Sequence, residues 1–189
     1  YRESSVSGKV AALFGGQGSQ YKNMFADLAM HWPDVREWLA TFDQACTKAF
    51  GERLTETVYA NGTLHPAMST AVMGLASYEP MKRAGFQPDM ALGHSQGEYA
   101  AIGAAGILSR QAYRDAAMLR MISTLEDARR DGGMCAVLSQ DPIGDWDAEL
   151  QLPDGVSIAN YNSPKQVVLT GLCAPIAAVV ANPSVLGMN

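Results

Sequence analysis

The chain has 189 residues, 48% of them apolar and 17% charged, with 14 Lys+Arg against 19 Asp+Glu and a formal net charge of −5. This apolar content excludes a disordered polypeptide, and the acidic balance lacks the Lys/Arg excess that marks a nucleic-acid binder. At about 150 residues per domain the length suits one compact domain with a smaller appendage, and the longest uncharged apolar run, Ala100 to Ser109, falls far short of the roughly 18 residues of a membrane span.

The N-terminus, Tyr1-Arg2-Glu3-Ser4-Ser5, has neither an initiator Met nor the basic-then-apolar pattern of a signal peptide, and reads as a piece cut from a longer polypeptide. Lys9 to Phe14 predicts a strand that runs into the glycine loop Gly15-Gly16-Gln17-Gly18. Asp34 to Phe50 predicts a helix, because Val35, Trp38, Leu39, Phe42, Ala45, Cys46 and Ala49 form one apolar stripe, and Pro33 suits its start. A second helix is expected over Pro66 to Ala84 from Met68, Ala71, Val72, Leu75, Ala76 and Met81, with Pro80 kinking or ending it. Asp89 to Leu92 reads as a short strand. Gly97 to Leu108 and Arg110 to Arg130 read as helices joined at Ser109, which caps the second.

Gly132-Gly133 breaks this pattern, and a subdomain boundary is expected there. Met134 to Leu138, Val156 to Tyr161 and Gln166 to Thr170 are β-like, and Ala174 to Ala181 is a helix candidate. Strand, short connection, strand, strand, helix is most of a ferredoxin-like β-α-β-β-α-β unit. The expected division is therefore a larger α/β subdomain over 9–131 and a partial smaller one over 132–189. Cys46, Cys135 and Cys173 are odd in number and widely spaced, which suits a reducing, cytoplasmic compartment, no thiolate metal site, and roles as small buried hydrophobes.

Gly93-His94-Ser95-Gln96-Gly97 spells G-x-S-x-G between a predicted strand and a predicted helix, the context in which that motif presents a serine nucleophile. The flanking glycines permit a sharp turn, and the helix that follows aims free N–H groups and its positive end at developing negative charge. The N–H of Gln96 is the expected first oxyanion donor. The loop Gly16 to Gln20 can supply a second, the N–H of Gln17, since strand-end loops of a parallel sheet open on one edge. A dinucleotide site is disfavoured, because Tyr21 stands where G-x-G-x-x-G needs its third glycine. His94 adjoins the nucleophile but points elsewhere at a sharp turn, which makes it a shaping residue of the site lining. Glu98 complements the first turn of its helix. His31 and His65 read as structural.

GQGSQ at Gly16 to Gln20, GHSQGE at Gly93 to Glu98, Arg120 in the second helix after the elbow, and Ala159-Asn160-Tyr161-Asn162-Ser163-Pro164 with Gln166-Val167-Val168 together resemble the malonyl/acyl-CoA:acyl-carrier-protein transacylases. That family includes the acyltransferase domains of fatty-acid, polyunsaturated-fatty-acid and polyketide synthases, and the resemblance runs from about Lys9 to about Gly171. It implies an α/β fold, with a hydrolase-like parallel-sheet larger subdomain and an inserted ferredoxin-like smaller one that is incomplete at its C-terminal end. It implies that Ser95 takes an acyl group from CoA and passes it to the phosphopantetheine thiol of an acyl carrier protein, with no cofactor and no metal. The N–H groups of Gln17 and Gln96 would form the oxyanion hole, and Arg120 would hold the free carboxylate of a malonyl-type group, a bidentate task suited to guanidinium. Asn160 and Asn162 would line the site.

The family's base is a histidine after the smaller subdomain, whereas no histidine follows His94 here; residues missing from the sequence are the expected reason. A serine hydrolase or thioesterase, and a non-catalytic synthase module, stay open as alternatives. Expected partners are acyl-CoA, the carrier protein and other synthase domains, with no nucleic acid and no membrane. Lys82, Arg83, Arg110, Arg114, Arg129 and Arg130 are the candidates for meeting an acidic carrier.

Overall fold

The computed structural model describes residues 8–24, 26–59, 66–126 and 131–187, which form two compact units, Tyr1–Asp127 and Ala128–Asn189. The fold is α/β. In the first unit the order is β1 (Ala11–Phe14), α1 (Ala26–His31), α2 (Pro33–Phe50), α3 (Leu54–Tyr59), α4 (Pro66–Arg83), β2 (Met90–Gly93), α5 (Gly97–Ala104) and α6 (Arg110–Glu126). β1 and β2 pair in parallel, Ala11 with Met90 through Phe14 with Gly93.

The apolar stripe of α2 buries Val35, Trp38, Leu39, Phe42 and Cys46, while Ala45 is half-buried and Ala49 exposed. The buried face meets Ala71, Val72, Leu75 and Ala76 of α4 and Tyr113, Ala117 and Met121 of α6 in one core. Trp38 and Phe42 pack edge to face with ring centres 4.9 Å apart, and the Tyr113 hydroxyl donates to the Ala71 carbonyl at 3.2 Å. Pro33 opens α2, and Gly51, at φ +79°, closes it by donating its N–H to the Thr47 carbonyl at 3.0 Å. Ser109 caps α6 as expected, its hydroxyl accepting from the Ala112 N–H at 3.2 Å.

Of the two outcomes expected of Pro80, a kink or an end, it does not end α4. It sits in the last turn, where the missing N–H costs one hydrogen bond near an end that is closing anyway. The stop comes at Gly85, at φ +93°: its N–H donates to Lys82 and that of Phe86 to Met81, both at 3.0 Å. α5 is shorter than expected because Gly106 and Ile107 close it in the same pattern onto Gly103 and Ile102. α1 and α3 are not legible in the sequence, being only 6 residues long each, and α1 buries no residue.

The second unit holds β3 (Gly132–Leu138), α7 (Trp146–Glu149), β4 (Val156–Ser163), β5 (Gln166–Leu172), α8 (Cys173–Ala181) and a 3-10 turn, Pro183–Leu186. Its sheet is antiparallel with the order β3-β5-β4. Gly132 and Gly133 open β3, paired with Leu172 and Gly171. The short connection expected between β3 and β4 carries the helical turn α7, where Asp145 caps by accepting from the N–H groups of Asp147 and Ala148, each at 3.1 Å. Trp146, Leu150, Val156, Val167, Leu169, Ile176, Val179 and Leu186 form this unit's own core.

Of the cysteines, only Cys46 is fully buried, its Sγ 3.9 Å from the Met118 sulfur and its thiol pushed up to about 11 by burial. Cys135 is half-buried. Cys173 is exposed at the start of α8, with its Sγ 3.1 Å from the Gly132 carbonyl, which corrects the expectation that all three are core residues.

Candidate active site

Three residues, His94 to Gln96, turn the chain from β2 into α5, and at their centre Ser95 has φ +53°. Among the described residues only Asn23 and Ser95 are non-glycine positions with positive φ. Serine gains nothing there, and an L-residue in that region carries about 1–2 kcal/mol of strain. The surroundings impose it. The His94 N–H donates to the Phe14 carbonyl at 3.0 Å, and the N–H groups of Gly97 and Glu98 donate back to His94 and Ser95 at 2.9 and 3.1 Å. A Cβ on Gly93 would enter the backbone of Gly97 and Glu98, and one on Gly97 would enter the carbonyl of Phe14. Both glycines of the motif are therefore required by close backbone approach. Ser95 is exposed at the head of α5.

The glycine loop lies against this turn. Gly16 is buried, and a Cβ on it would stand 3.1 Å from the Ser95 Cβ and inside the His94 carbonyl. The loop is a tight turn: the Ser19 N–H and hydroxyl both donate to the Gly16 carbonyl, at 3.2 and 2.7 Å, and the Gly18 N–H donates to the Gln20 Oε1 at 2.7 Å. Gly18, at φ +103°, occupies the position of a type II turn that requires glycine. Gln17 is exposed at its corner. A groove of about 440 Å³ runs from Gly15 and Ser19 along β1 toward Tyr78 and Phe86.

Of the residues expected to act, Ser95, Gln96, His94 and the Gln17 loop are thus brought together in the first unit. Gln96 stands at the N-cap of α5 without a side-chain cap, and its Oε1 is buried with no hydrogen-bond partner among the described residues. His94 and Glu98 are exposed beside it. Arg120 is exposed on α6, sixteen residues beyond the end of α5 and ten beyond the start of its own helix. Asn160 and Asn162 belong to the second unit, on β4. There the register with β5 shifts between Ile158 and Asn160 and again between Tyr161 and Ser163, and the Asn162 Nδ2 donates to the Gln166 Oε1 at 3.1 Å.

The Nδ1 of His31 lies 2.8 Å from the Asp27 carbonyl at the end of α1, a structural role; His65 lies outside the described residues. Among the basic candidates Arg83 is ion-paired with Asp34, Arg110 with Glu79 at 3.4 Å and Arg114 with Asp115 at 3.1 Å, while Arg129 and Arg130 lie outside the described residues. Among the described residues no cluster of His, Cys, Asp and Glu could hold a metal ion, and no helix is long and apolar enough to cross a membrane.

Residues 12–187 match the family model of the acyl transferase domain. The chain is 34% identical to a polyunsaturated fatty acid synthase polypeptide of Thraustochytrium sp., over 94% of its own length and 7% of that protein. It is 33% identical to the malonyl CoA-acyl carrier protein transacylase of Haemophilus influenzae, over 92% of its length and 58% of the relative. Among solved structures it superposes with a TM-score of 0.72 and 27% identity on a malonyl-transacylase held in complex with its type II polyketide-synthase acyl-carrier protein, covering 90% of this chain and 57% of that one. The chain thus spans little more than half the length of the transacylases it matches, and a small part of the synthase.

Proposed function

We propose that this chain, which belongs to the acyl transferase domain family, carries the nucleophile and oxyanion hole of an enzyme that moves a malonyl-type acyl group from CoA to the phosphopantetheine thiol of an acyl carrier protein. The observation that carries the reading is Ser95 held at φ +53° between β2 and α5, with Gly16 of the glycine loop packed on it. Strain of that kind persists only where neighbours over-determine it, and here it sets a hydroxyl at the positive end of a helix. The relatives named for malonyl transfer, and the one solved with its carrier protein, support the substrate class and the partner.

In the first half-reaction the Ser95 Oγ bonds to the thioester carbon as its proton passes to a base; the C–S bond then breaks, and the CoA sulfur leaves with that proton. The negative charge that develops on the carbonyl oxygen meets the N–H groups of Gln96 and Gln17. In the second half the carrier thiol attacks the acyl ester and Ser95 regains its proton. The family resemblance assigns the base to a histidine C-terminal to the smaller subdomain, whereas the histidines of these 189 residues are His31, His65 and His94. No metal or cofactor is needed for either half.

Arg120 is assigned the free carboxylate of the malonyl group. Ten residues of α6 rise about 15 Å, close to the length of α5 retraced by a chain that doubles back, which would return Arg120 to the level of the elbow. Asn160 and Asn162 are assigned to the lining on the family resemblance alone.

The finer architecture follows the same reading: a hydrolase-like parallel-sheet larger subdomain, 9–131, and a ferredoxin-like smaller one, 132–189. Parallel sheets are covered on both faces, yet the paired residues Leu13 and Leu92 are 74% and 54% exposed on the β1–β2 sheet, a surface suited to further elements. The order β3-β5-β4 with α7 and α8 supports the ferredoxin-like reading of the smaller subdomain. A cytoplasmic location is the expectation that its free thiols support.

Intact-mass measurement of the parent polypeptide mixed with malonyl-CoA tests the reading. A malonyl adduct that Ser95→Ala abolishes is the expected result; an adduct unaffected by that substitution would remove Ser95 from the mechanism.

A further inference from the structure

We propose that Ser19 and Gln20 are positioning residues of the oxyanion hole, clamping the two peptide planes on either side of Gln17 so that its N–H is held ready for the developing charge. The inference rests on the acyl-serine chemistry proposed above and goes beyond it, assigning roles to two side chains through the turn that they hold.

The reason lies in peptide geometry. The Gly16–Gln17 peptide is trans, like every other among the described residues, so the Gly16 carbonyl and the Gln17 N–H point in opposite directions in one plane. Ser19 holds that carbonyl twice, by its N–H at 3.2 Å and its hydroxyl at 2.7 Å. Fixing the carbonyl fixes the N–H. The two donors also polarise that peptide, which makes the Gln17 N–H a stronger donor.

The next plane, Gln17–Gly18, is fixed from its other end, where the Gly18 N–H donates to the Gln20 Oε1 at 2.7 Å. Of the three successive amides Gln17, Gly18 and Ser19, the last two are therefore engaged within the turn, leaving that of Gln17 for an outside acceptor. Gly16 anchors the whole turn against Ser95 and His94. A donor that is already oriented costs no reorganisation when charge appears, which is the condition for a large electrostatic contribution. A hydroxyl and a side-chain carbonyl satisfy this clamp, whereas their apolar replacements do not. Both side chains are exposed, so replacing them leaves the core intact.

The test uses the parent polypeptide and two pairs of variants, Ser19→Ala with Ser19→Thr, and Gln20→Leu with Gln20→Glu. Single-turnover acylation by malonyl-CoA reads the chemistry, and malonyl-CoA affinity in a Ser95→Ala background reads binding alone. Ser19→Ala and Gln20→Leu should slow acylation about 10- to 100-fold with affinity unchanged, and Ser19→Thr and Gln20→Glu, which restore the donor and the acceptor, should recover most of the rate. Unchanged acylation, an equal loss of affinity, or conservative variants as slow as the apolar ones would overturn the proposal.

A parent protein that forms no acyl adduct at all would overturn the functional reading instead. Amide hydrogen exchange separates the two failures. In Gln20→Leu the Gly18 amide should exchange at least about tenfold faster once its acceptor is gone. If it does not, the clamp itself is contradicted whatever the enzyme does.

Discussion

Gly16 leaves no room for a side chain beside Ser95, although the two stand on loops that are distant in sequence: a Cβ on Gly16 would lie 3.1 Å from that of Ser95 and inside the His94 carbonyl. This close approach joins the end of β1 to the end of β2, and it explains why a glycine loop and a strained serine stand side by side. Gly16→Ala should therefore force the two loops apart. The expected cost is about 1–3 kcal/mol of stability, typical of overpacking, together with loss of Ser95 acylation. Thermal unfolding and intact mass measure the two effects; a variant with wild-type melting and wild-type acylation would show that the close approach is not needed.

Ser95 trades stability for position. At φ +53° glycine is at ease where serine is strained, so Ser95→Gly should stabilise the first unit by about 1 kcal/mol while abolishing the adduct. Chemical denaturation of both proteins measures the difference. A lower midpoint in the variant would mean that the side chain of Ser95 contributes more to folding than its backbone costs.

Arg120→Ala separates substrate recognition from chemistry. If its guanidinium holds the free carboxylate, malonyl loading should fall by about 10- to 100-fold, consistent with loss of a charge-assisted pair, while acetyl loading changes little. Equal losses for both acyl groups would assign Arg120 to structure.

Cys46 gives a pH dependence with a definite sign. Burial raises its thiol from 9.0 to about 11, so the folded chain keeps a proton that the unfolded chain gives up. Its contribution is complete below pH 9 and is lost as the pH rises to 11, so the Cys46→Ala variant should lose less stability than the wild type over that interval. Denaturation midpoints at about pH 8 and about pH 10.5 measure this. In the native protein the exposed Cys173 should alkylate with iodoacetamide well before Cys46 does.

The parts of the molecule that the sequence made legible are those whose signal is local and repetitive. α2 is marked by an apolar stripe that five buried residues bear out, and β2, the turn at Ser95 and α5 by G-x-S-x-G in its strand-to-helix setting. Signals that depend on partners distant in the fold were not legible. Pro80 reads as a break until it is seen to fall in the last turn of α4, with the true stop at Gly85. α7 needs Asp145 to cap it, and α1 has no buried face to give it a period.

The candidate site divides in the same way. Ser95, Gln17 and Gln96 were visible as motif letters, whereas the roles given to Ser19 and Gln20 depend on side-chain bonds to the backbone, which no spacing rule encodes. The one available cue was a small hydroxyl three residues after a glycine, a common way to close a turn. Cys173 shows the opposite error. Its composition suggested a core residue, but it begins a helix at the surface.

The most direct measurement is a chase. The parent polypeptide is loaded with malonyl-CoA, freed of excess CoA, and given a holo acyl carrier protein while the intact masses of both proteins are followed. The malonyl mass should leave Ser95 and appear on the carrier's phosphopantetheine thiol, with no transfer in Ser95→Ala. Loss of the adduct to water with the carrier unmodified would contradict it and make the chain part of a hydrolase.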